Sequence, residues 1–518
     1  MDIKTMHIGQ SRASPMCFSS FESLIVTALW LTLTPLCTSK GVPIIKTTSG
    51  KLQGTAITNS TNAYLGIPYA IPPLGQLRFA APLELYTPTI TRNATGFGSS
   101  CIQFHPPVLS PTGESENCLF LNVWTSATVS SNQKKPVLVW LPGGGWNTGS
   151  TSLPVEDLTG WATAHPEIVF VSINYRLNLF GYPDTPAITR PNTNAGLRDQ
   201  RLAVEWVHKN IATFGGDPNH LIFGGESAGS GSVSGYLYAY PGDPLIKGAL
   251  MMSGQAPLQS LVGRNPLTPD VPPENSFPVI ASAVGCPLQN NNFAAQLYCV
   301  RQRSTTDLVT ALGQLNVTVV GPVIDNQTVH SYEEYKSRGK AGKFIKVPIL
   351  TGTVENEADI FVLDRATNTV NEAFSDLLTL AAFRCFDSWQ SSFSVAAGLP
   401  TYRYHYLPLF PTISIPPLRV FHQADQFIVF GTSQKGRGPD APPPTELEQA
   451  ATVYMQRAWS AFIGDPANGL KGLGWPRYKG YTGQTLVGIF PNNSVENPIQ
   501  TTNPTDFDAG CAALGLGL

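Results

Sequence analysis

The residues that could most clearly perform chemistry lie at positions 225–229, which read Gly-Glu-Ser-Ala-Gly. A short apolar run at residues 221–223 precedes them and predicts a buried strand. A G-x-S-x-G sequence that follows a strand is typical of a nucleophile elbow, in which a serine sits on a sharp turn into a helix. Ser227 is therefore the candidate nucleophile, although a flexible Gly/Ser loop could carry the same letters.

A second stretch could stabilise the charge that such a nucleophile creates. Residues 137–141 predict a buried strand, and Pro-Gly-Gly-Gly-Trp follows at residues 142–146. Acyl transfer places negative charge on the carbonyl oxygen, and preorganised backbone N–H groups stabilise that charge. Consecutive glycines let the backbone turn its N–H groups inward. The alternative for a glycine run is a flexible hinge.

The elements around these stretches indicate a parallel sheet. Residues 168–174 and 249–252 predict two further core strands. Residues 194–214 predict a long amphipathic helix, because apolar residues recur there every three or four positions before Gly215-Gly216. Strands that alternate with helices in this order form parallel sheets with right-handed crossovers.

Three blocks of the sequence resemble the type-B carboxylesterase family, the cholinesterase-like branch of the α/β-hydrolases. Residues 214–229 resemble its F-G-G…G-x-S-[small]-G signature, residues 64–79 its F-L-G-I-P-Y-A-x-P-P-x-G-x-L-R-F block, and residues 116–123 its E-[DN]-C-L motif. The departures are Phe223 for an aliphatic residue, Asn117 for the usual aspartate and Pro142 for histidine or tyrosine. The resemblance implies an α/β-hydrolase fold, a mostly parallel central sheet flanked by helices, in one catalytic domain over residues 40–518.

A serine nucleophile needs a general base, and the α/β-hydrolase order places that base after Ser227 and after the acid. The histidines that remain are His330, His405 and His422. His405 lies in an alternating strand pattern, which favours a structural role. The segment that begins at His422 resembles the family's H-x-x-[DE] and F-G-T loop, so the resemblance selects His422. Asp425 then either supports the base or simply starts a helix.

Three acids compete for the role of the carboxylate that orients the base. Glu355, Glu357 and Asp359 all follow a predicted strand at residues 347–351, at the end where α/β sheets place catalytic groups. The family spacing selects Glu357, with Asp359 as the alternative. Ala358 stands where the family has glycine.

The resemblance implies further roles near the nucleophile. It assigns the oxyanion-stabilising N–H groups to Gly144, Gly145 and Ala228. It also places Ser253 beside the catalytic residues as a supporting serine, although a simple turn would explain Ser253 equally well.

The eight cysteines indicate an exported protein. Cys17 and Cys37 lie in the N-terminal segment. The sequence contains no C-x-x-C pair, so it gives no indication of zinc binding or redox chemistry. The other six allow 15 pairings. The resemblance implies Cys101 with Cys118 and Cys286 with Cys299, which leaves Cys385 with Cys511.

The N-terminal segment supports export. Basic Lys4 and Arg12 precede an apolar run at residues 24–36, which is too short to span a bilayer, and small residues follow at 37–39. Residues 1–39 are therefore predicted to be a secretory signal, with an uncleaved anchor or a true start at Met16 as alternatives. N-glycosylation sequons occur at Asn59, Asn93, Asn316, Asn326 and Asn492.

Composition excludes some classes of function. A net charge of −2 without a Lys/Arg cluster gives no support for nucleic-acid or membrane-surface binding. A hydrophobic content of 42% suffices for a large core.

We therefore expect a secreted serine hydrolase that cleaves small-molecule carboxylic esters without a metal or an organic cofactor; the sequence does not predict an oligomeric state. A cholinesterase would carry a tryptophan between Cys101 and Cys118 for cation–π binding, and residues 102–117 contain none. A triacylglycerol lipase or an esterase for a specialised metabolite remains open, since a lid could lie elsewhere. A non-catalytic binding or adhesion module is the alternative of another class, but such relatives typically lose the serine.

Overall fold

The computed structural model describes residues 41–104, 110–128, 134–261, 276–315, 320–491 and 495–517. The predicted signal at residues 1–39 and the sequons at Asn316 and Asn492 lie outside the described residues. Residues 42–518 group as one compact unit.

Most strands of the described chain belong to one sheet. In chain order the strands are β1 (Ile44–Thr47), β2 (Gly50–Gln53), β3 (Thr55–Ala56), β4 (Thr61–Pro68), β5 (Thr91–Asn93), β6 (Phe120–Ser126), β7 (Lys135–Leu141), β8 (Val169–Ile173), β9 (Gly216–Glu226), β10 (Gly248–Met252), β11 (Ile349–Val354), β12 (Leu363–Asp364), β13 (Thr369–Val370), β14 (Thr401–Tyr406), β15 (Leu486–Ile489) and β16 (Ile499–Thr502).

Helices connect these strands and cover the sheet. They are α1 (Thr159–Ala164), α2 (Asn178–Gly181), α3 (Ala195–Asn210), α4 (Ala228–Ala239), α5 (Pro257–Leu261), α6 (Ser276–Ala283), α7 (Phe293–Arg301), α8 (Thr305–Gln314), α9 (Tyr332–Lys340), α10 (Glu372–Thr379), α11 (Cys385–Ala396), α12 (Ala424–Phe430), α13 (Ser433–Arg437), α14 (Glu446–Gly464) and α15 (Pro504–Phe507). None of the helices in the described ranges combines the length and the apolar character needed to cross a membrane.

The predicted α/β-hydrolase architecture is confirmed. The main sheet of the described chain has 11 strands in the order β16-β15-β14-β11-β10-β9-β7-β8-β6-β4-β3. The strands from β15 to β8 run parallel to one another. The outer pairs are antiparallel.

Two hydrophobic cores lie on opposite faces of this sheet. In β7, Val137 and Val139 belong to one core, and Leu138 and Trp140 belong to the other. This split follows from the strand period of two, which sends successive side chains to opposite faces. Apolar residues of α3 and α4 cover the first face, and those of α12 and α14 cover the second. The sheet is therefore buried on both sides, which explains its near-continuous apolar strands.

The predicted elements agree with the structure to within a few residues. The helix predicted at residues 194–214 is α3, which continues as a 3-10 helix over Ile211–Phe214 and ends at Gly215 with φ of 84°. The strand predicted at residues 347–351 begins later and runs further, over Ile349–Val354. Its extension matters because it carries the chain to the loop that holds the candidate acid.

Three disulfides join the cysteines as the resemblance implies: Cys101–Cys118, Cys286–Cys299 and Cys385–Cys511. The third ties the C-terminal segment to the start of α11. A buried ion network reinforces the same junction, since Arg403 on β14 binds both Asp387 and Asp508. Arg403 is 0% exposed, so its charge depends on these two carboxylates.

Candidate active site

Ser227 occupies a strained turn between β9 and α4. Its φ and ψ are 55° and −122°, a backbone conformation that residues other than glycine rarely adopt. The flanking glycines are required by space: a Cβ on Gly225 would lie 2.5 Å from the carbonyl carbon of Gly229, and one on Gly229 would lie 2.2 Å from the oxygen of Leu141. The Ser227 N–H donates to the carbonyl of Met252 at 2.9 Å, which ties the turn to β10. The sequence therefore forms the elbow that its motif predicts.

His422 and Glu357 form a buried pair. Nδ1 of His422 lies 2.5 Å from Oε2 of Glu357, and the two residues are 6% and 0% exposed. The other carboxylate oxygen of Glu357 accepts the N–H of Val354 at 2.9 Å. This second bond fixes the carboxylate at the end of β11, so the imidazole is held in one orientation.

The two competing acids have other partners. Asp359 binds Arg419, with Oδ1 2.7 Å from Nη2. Glu355 pairs with His405, which also explains the structural role predicted for that histidine. Of the three acids in the loop, the structure brings only Glu357 to His422.

Glu226 also reaches His422, and the sequence reasoning missed it. Its Oε1 lies 3.2 Å from Nε2 of His422, and neither atom forms a hydrogen bond of normal geometry with a described residue. Glu226 is 1% exposed. The acid at the second position of G-x-S-x-G could have predicted this contact, because the elbow holds that position beside the nucleophile.

Glu226 and Glu357 both affect the charge of His422. Burial disfavours the imidazolium of His422, but Glu226 and Glu357 outweigh burial and raise its pKa to about 9. Burial raises the pKa of Glu226 well above its ordinary value, against the lowering effect of His422. The pKa of each group is therefore raised above its ordinary value.

Two further buried acids, Asp425 and Glu156, lie close enough to Glu226 to raise its pKa. Asp425, in the first turn of α12, accepts a hydrogen bond from the Tyr404 hydroxyl at 2.7 Å, and burial raises its pKa to about 7. Glu156 accepts a hydrogen bond from Nε1 of Trp140 at 2.9 Å, and burial raises its pKa to about 7 as well. Both carboxyl groups interact electrostatically with Glu226. Asp425 is therefore both a helix-starting acid and a buried neighbour of the base.

Two phenylalanines flank the imidazole of His422. Its ring centroid lies 5.1 Å from that of Phe361 and 5.2 Å from that of Phe383. The two phenylalanine rings are nearly parallel, 6.0 Å apart with an interplanar angle of 12°. Phe383 lies in a π-helical turn, Leu380–Arg384, between α10 and α11. Such turns are rare and occur frequently at functional sites, and sequence patterns did not predict this one.

The three residues predicted to stabilise an oxyanion have N–H groups without an acceptor among the described residues. Gly144 and Gly145 have positive φ values of 115° and 61°, and a Cβ on Gly144 would lie 2.2 Å from the oxygen of Thr148. The N–H groups of both glycines donate to none of the residues that the structure describes. Ala228 is the first residue of α4, where N–H groups lack intrahelical acceptors.

Ser253 lies next to the elbow. It follows β10, has a φ of 55°, and its N–H donates to the carbonyl of Gly352 at 2.9 Å. The residue is 0% exposed, and its hydroxyl has no partner among the described residues. The following residue, Gly254, packs so closely on the Ser227 carbonyl that a Cβ there would lie 2.2 Å from its oxygen.

These features suit acyl transfer. A serine on a strained turn, a buried imidazole oriented by a carboxylate, and unused N–H groups are the parts that a serine hydrolase requires.

Known proteins support this chemistry. The family model described as "Carboxylesterase family" matches residues 41–371. A chlorogenic acid esterase of Aspergillus niger is 33% identical over 82% of this chain and 83% of its own length. Secreted lipase 5 of Gibberella zeae is 32% identical over 92% of this chain and 96% of its own length. A mouse cholinesterase is 33% identical over 62% of this chain and 54% of its own length. The chain therefore belongs to the carboxylesterase family and is a carboxylic ester hydrolase.

Proposed function

We propose that the protein cleaves esters through Ser227, His422 and Glu357. Oγ of Ser227 attacks the ester carbonyl while Nε2 of His422 takes the hydroxyl proton, and Glu357 holds Nδ1. The N–H groups of Gly144, Gly145 and Ala228 stabilise the oxyanion. The observation that carries this proposal is the buried contact of 2.5 Å between Glu357 and His422.

The remaining steps use the same groups. The tetrahedral intermediate collapses, the alcohol leaves with the proton from His422, and the acyl group stays on Ser227. Water then attacks this acyl-enzyme with His422 as the base again. Glu226 and Asp425 stabilise the imidazolium in both steps, and Ser253 supports the turn that carries the nucleophile.

The substrate we propose is a small, soluble carboxylic ester. Short disulfide loops such as Cys101–Cys118 leave little chain for a large lid at that position. A specialised-metabolite ester fits this class, and one of the relatives is named a chlorogenic acid esterase.

A triacylglycerol lipase is the second candidate, because apolar side chains are exposed beside the base. The 3-10 helix Glu357–Ile360 and α10 pack together next to His422. The exposed apolar residues of this surface are Ile360 (40%), Phe361 (56%), Phe374 (43%) and Leu377 (40%). Such a surface would suit contact with a lipid aggregate.

We further propose that residues 1–39 direct secretion and that residues 40–518 form the mature enzyme. Three disulfides favour an oxidising compartment. The described sequons, Asn59, Asn93 and Asn326, are all exposed, as glycan attachment requires.

Hydrolysis of a chain-length series of chromogenic esters, beside emulsified triacylglycerol, tests the function. We expect the highest kcat/KM on short soluble esters and no activity in Ser227→Ala with an unchanged melting temperature. A preference for emulsion would establish the lipase instead. A folded wild-type protein that hydrolyses none of these esters would favour a binding module.

A matched pair of variants tests the acid. Glu357→Gln should reduce kcat by about 10³- to 10⁴-fold, because the imidazole loses the carboxylate that sets its tautomer. Asp359→Asn removes a carboxylate from the same loop but leaves His422 paired. If Asp359→Asn were the more damaging change, Glu357 would not be the catalytic acid.

A further inference from the structure

A cavity of about 370 Å³ lies far from the catalytic serine. Its wall includes Tyr238 and Tyr240 at the carboxyl end of α4, whereas Ser227 precedes the amino end. A helix of 12 residues is about 18 Å long, so the cavity and Ser227 are separated by the length of α4. The volume falls within the roughly 300–1,000 Å³ of small-molecule sites. We call it the α4 cavity.

His330 is a buried titratable residue in the wall of the α4 cavity. It is 1% exposed and lines the wall, yet neither ring nitrogen forms a hydrogen bond of normal geometry with a described residue. It interacts with the backbone of Tyr238, and its ring meets that of Tyr335 edge to face at 5.3 Å. The backbone of Tyr238 engages at most one of the two ring nitrogens, so at least one buried nitrogen is left for a ligand or a water molecule.

The charges that line the α4 cavity are positive. Arg198 of α3 donates to the backbone carbonyls of Thr193 and Arg190 and forms no ion pair with a described acid. Arg338 of α9 also lines the cavity and pairs with Glu334, Nε to Oε1 at 2.7 Å. Arg198 and Arg338 are therefore the charged residues in the described wall of the cavity, and the carboxylate of Glu334 offsets the charge of Arg338.

Burial opposes the charge of the nearby Asp325, but hydrogen bonds outweigh burial and lower its pKa, so it remains a carboxylate. One of its carboxylate oxygens accepts the N–H groups of Gln327, Thr328 and Val329. The other accepts the hydroxyls of Thr193 and Thr328. Both oxygens of Asp325 are therefore occupied by donors of its own turn and of Thr193, and neither is hydrogen-bonded to Arg198 or Arg338.

We propose that the α4 cavity binds a small oxyanion, a carboxylate or phosphate group, held by Arg198 and Arg338 and hydrogen-bonded to His330. Guanidinium groups form strong charge-assisted hydrogen bonds with such oxyanions. The site uses no residue of the ester-hydrolysing machinery, so it is a second binding site that does not depend on the proposed mechanism.

Binding should strengthen as the pH falls. The charged groups that act on His330 are Arg338 and Glu334 of α9 and Asp325 of the preceding turn. Burial and Arg338 lower its pKa to about 4 in the absence of a ligand. An anion beside the ring would favour the imidazolium and raise that pKa, so protonation and anion binding assist each other.

Calorimetric titration of the full secreted protein with inorganic phosphate, and separately with acetate, tests the proposal at neutral and mildly acidic pH. We expect binding of at least one probe, stronger at the lower pH. Binding of acetate alone would identify a carboxylate site, and binding of phosphate alone a phosphate site. Binding of neither probe would overturn the proposal.

Matched variants locate the site. Arg198→Gln should weaken binding about 10- to 100-fold, because it removes a charge-assisted contact. Lys209→Gln removes a charge from the same helix but outside the cavity, and should bind as the wild type does. His330→Gln should bind with less pH dependence. Equal weakening by Lys209→Gln would show that general surface charge, not this cavity, holds the anion.

The sequon at Asn326 lies on the wall of the α4 cavity, so a glycan there provides a further control. We expect the same affinity before and after endoglycosidase treatment. Binding seen only after the sugar is removed would place the glycan in the cavity of the secreted protein and overturn the proposal.

Discussion

Replacing Glu226 by glutamine should lower the pKa of His422 and extend esterase activity to lower pH. In the proposed mechanism His422 must be neutral to accept the Ser227 proton, and its pKa in the wild-type protein is raised to about 9. When Glu226 is ionised, it places a negative charge 3.2 Å from Nε2. Glutamine keeps the shape of the side chain but removes that charge.

The expected shift follows from Coulomb's law. Two unit charges 3.2 Å apart interact by about 1.3 kcal/mol at a dielectric constant of about 80, and by about 5 kcal/mol at about 20. Since one pKa unit corresponds to about 1.4 kcal/mol, the pKa of His422 should fall by about 1 to 4 units. The smaller shift is favoured, because burial raises the pKa of Glu226 and so disfavours its charged form.

The assay is the pH dependence of kcat/KM, which reports the ionisation of the free enzyme. Wild-type activity should rise up to about pH 9, and Glu226→Gln should move this rise to lower pH. Glu355→Gln is the matched control, because it removes a nearby carboxylate that pairs with His405. A wild-type rise near pH 6.5, unchanged in Glu226→Gln, would refute the reasoning.

Three further predictions concern packing and stability. Phe383→Ala should lower kcat by about 10²-fold with less effect on KM, because His422 loses a ring that positions it, whereas Phe383→Leu should restore most activity. Replacing both cysteines of Cys385–Cys511 by serine should lower the free energy of unfolding, measured with denaturant, by about 5 kcal/mol, against about 3 kcal/mol for Cys286–Cys299. The difference is expected because Cys385–Cys511 closes a loop of 126 residues and Cys286–Cys299 one of 13. Equal losses would contradict the loop-length argument. Arg403→Met should lower the free energy of unfolding by about 3–5 kcal/mol by leaving two buried aspartates unpaired, and an unchanged midpoint would contradict that pairing.

The nucleophile elbow was predictable because its signal is local. The strand, the turn and the glycines around Ser227 lie within a short stretch, and the steric need for Gly225 follows from that turn alone, whereas Gly229 is required by the close approach of Leu141 on β7. The parallel sheet was predictable for a similar reason, since buried strands and amphipathic helices each carry their own periodicity.

The partners of the base required more than local patterns. Glu355, Glu357 and Asp359 are equivalent in chemistry, and only the family spacing distinguished Glu357. In the structure Glu355 pairs with His405 and Asp359 with Arg419, and both partners lie in later parts of the chain. The contact between Glu226 and His422 is likewise a property of tertiary packing.

Two other features were beyond the sequence reasoning. The π-helical turn at Leu380–Arg384 breaks the helical period by one residue, and no residue type marks such a turn. The α4 cavity gathers α3, α4, α9 and the turn at Asp325, which are separate in sequence. A site built from several elements is visible only after they pack.

Covalent labelling of Ser227 tests the central claim most directly. The protein is treated with a fluorophosphonate, and mass spectrometry of its peptides locates the adduct. We predict one adduct, on Ser227, at a rate that falls strongly in Glu357→Gln and stays at the wild-type value in Asp359→Asn. An adduct on another residue, or ester hydrolysis that persists in folded Ser227→Ala, would contradict the account.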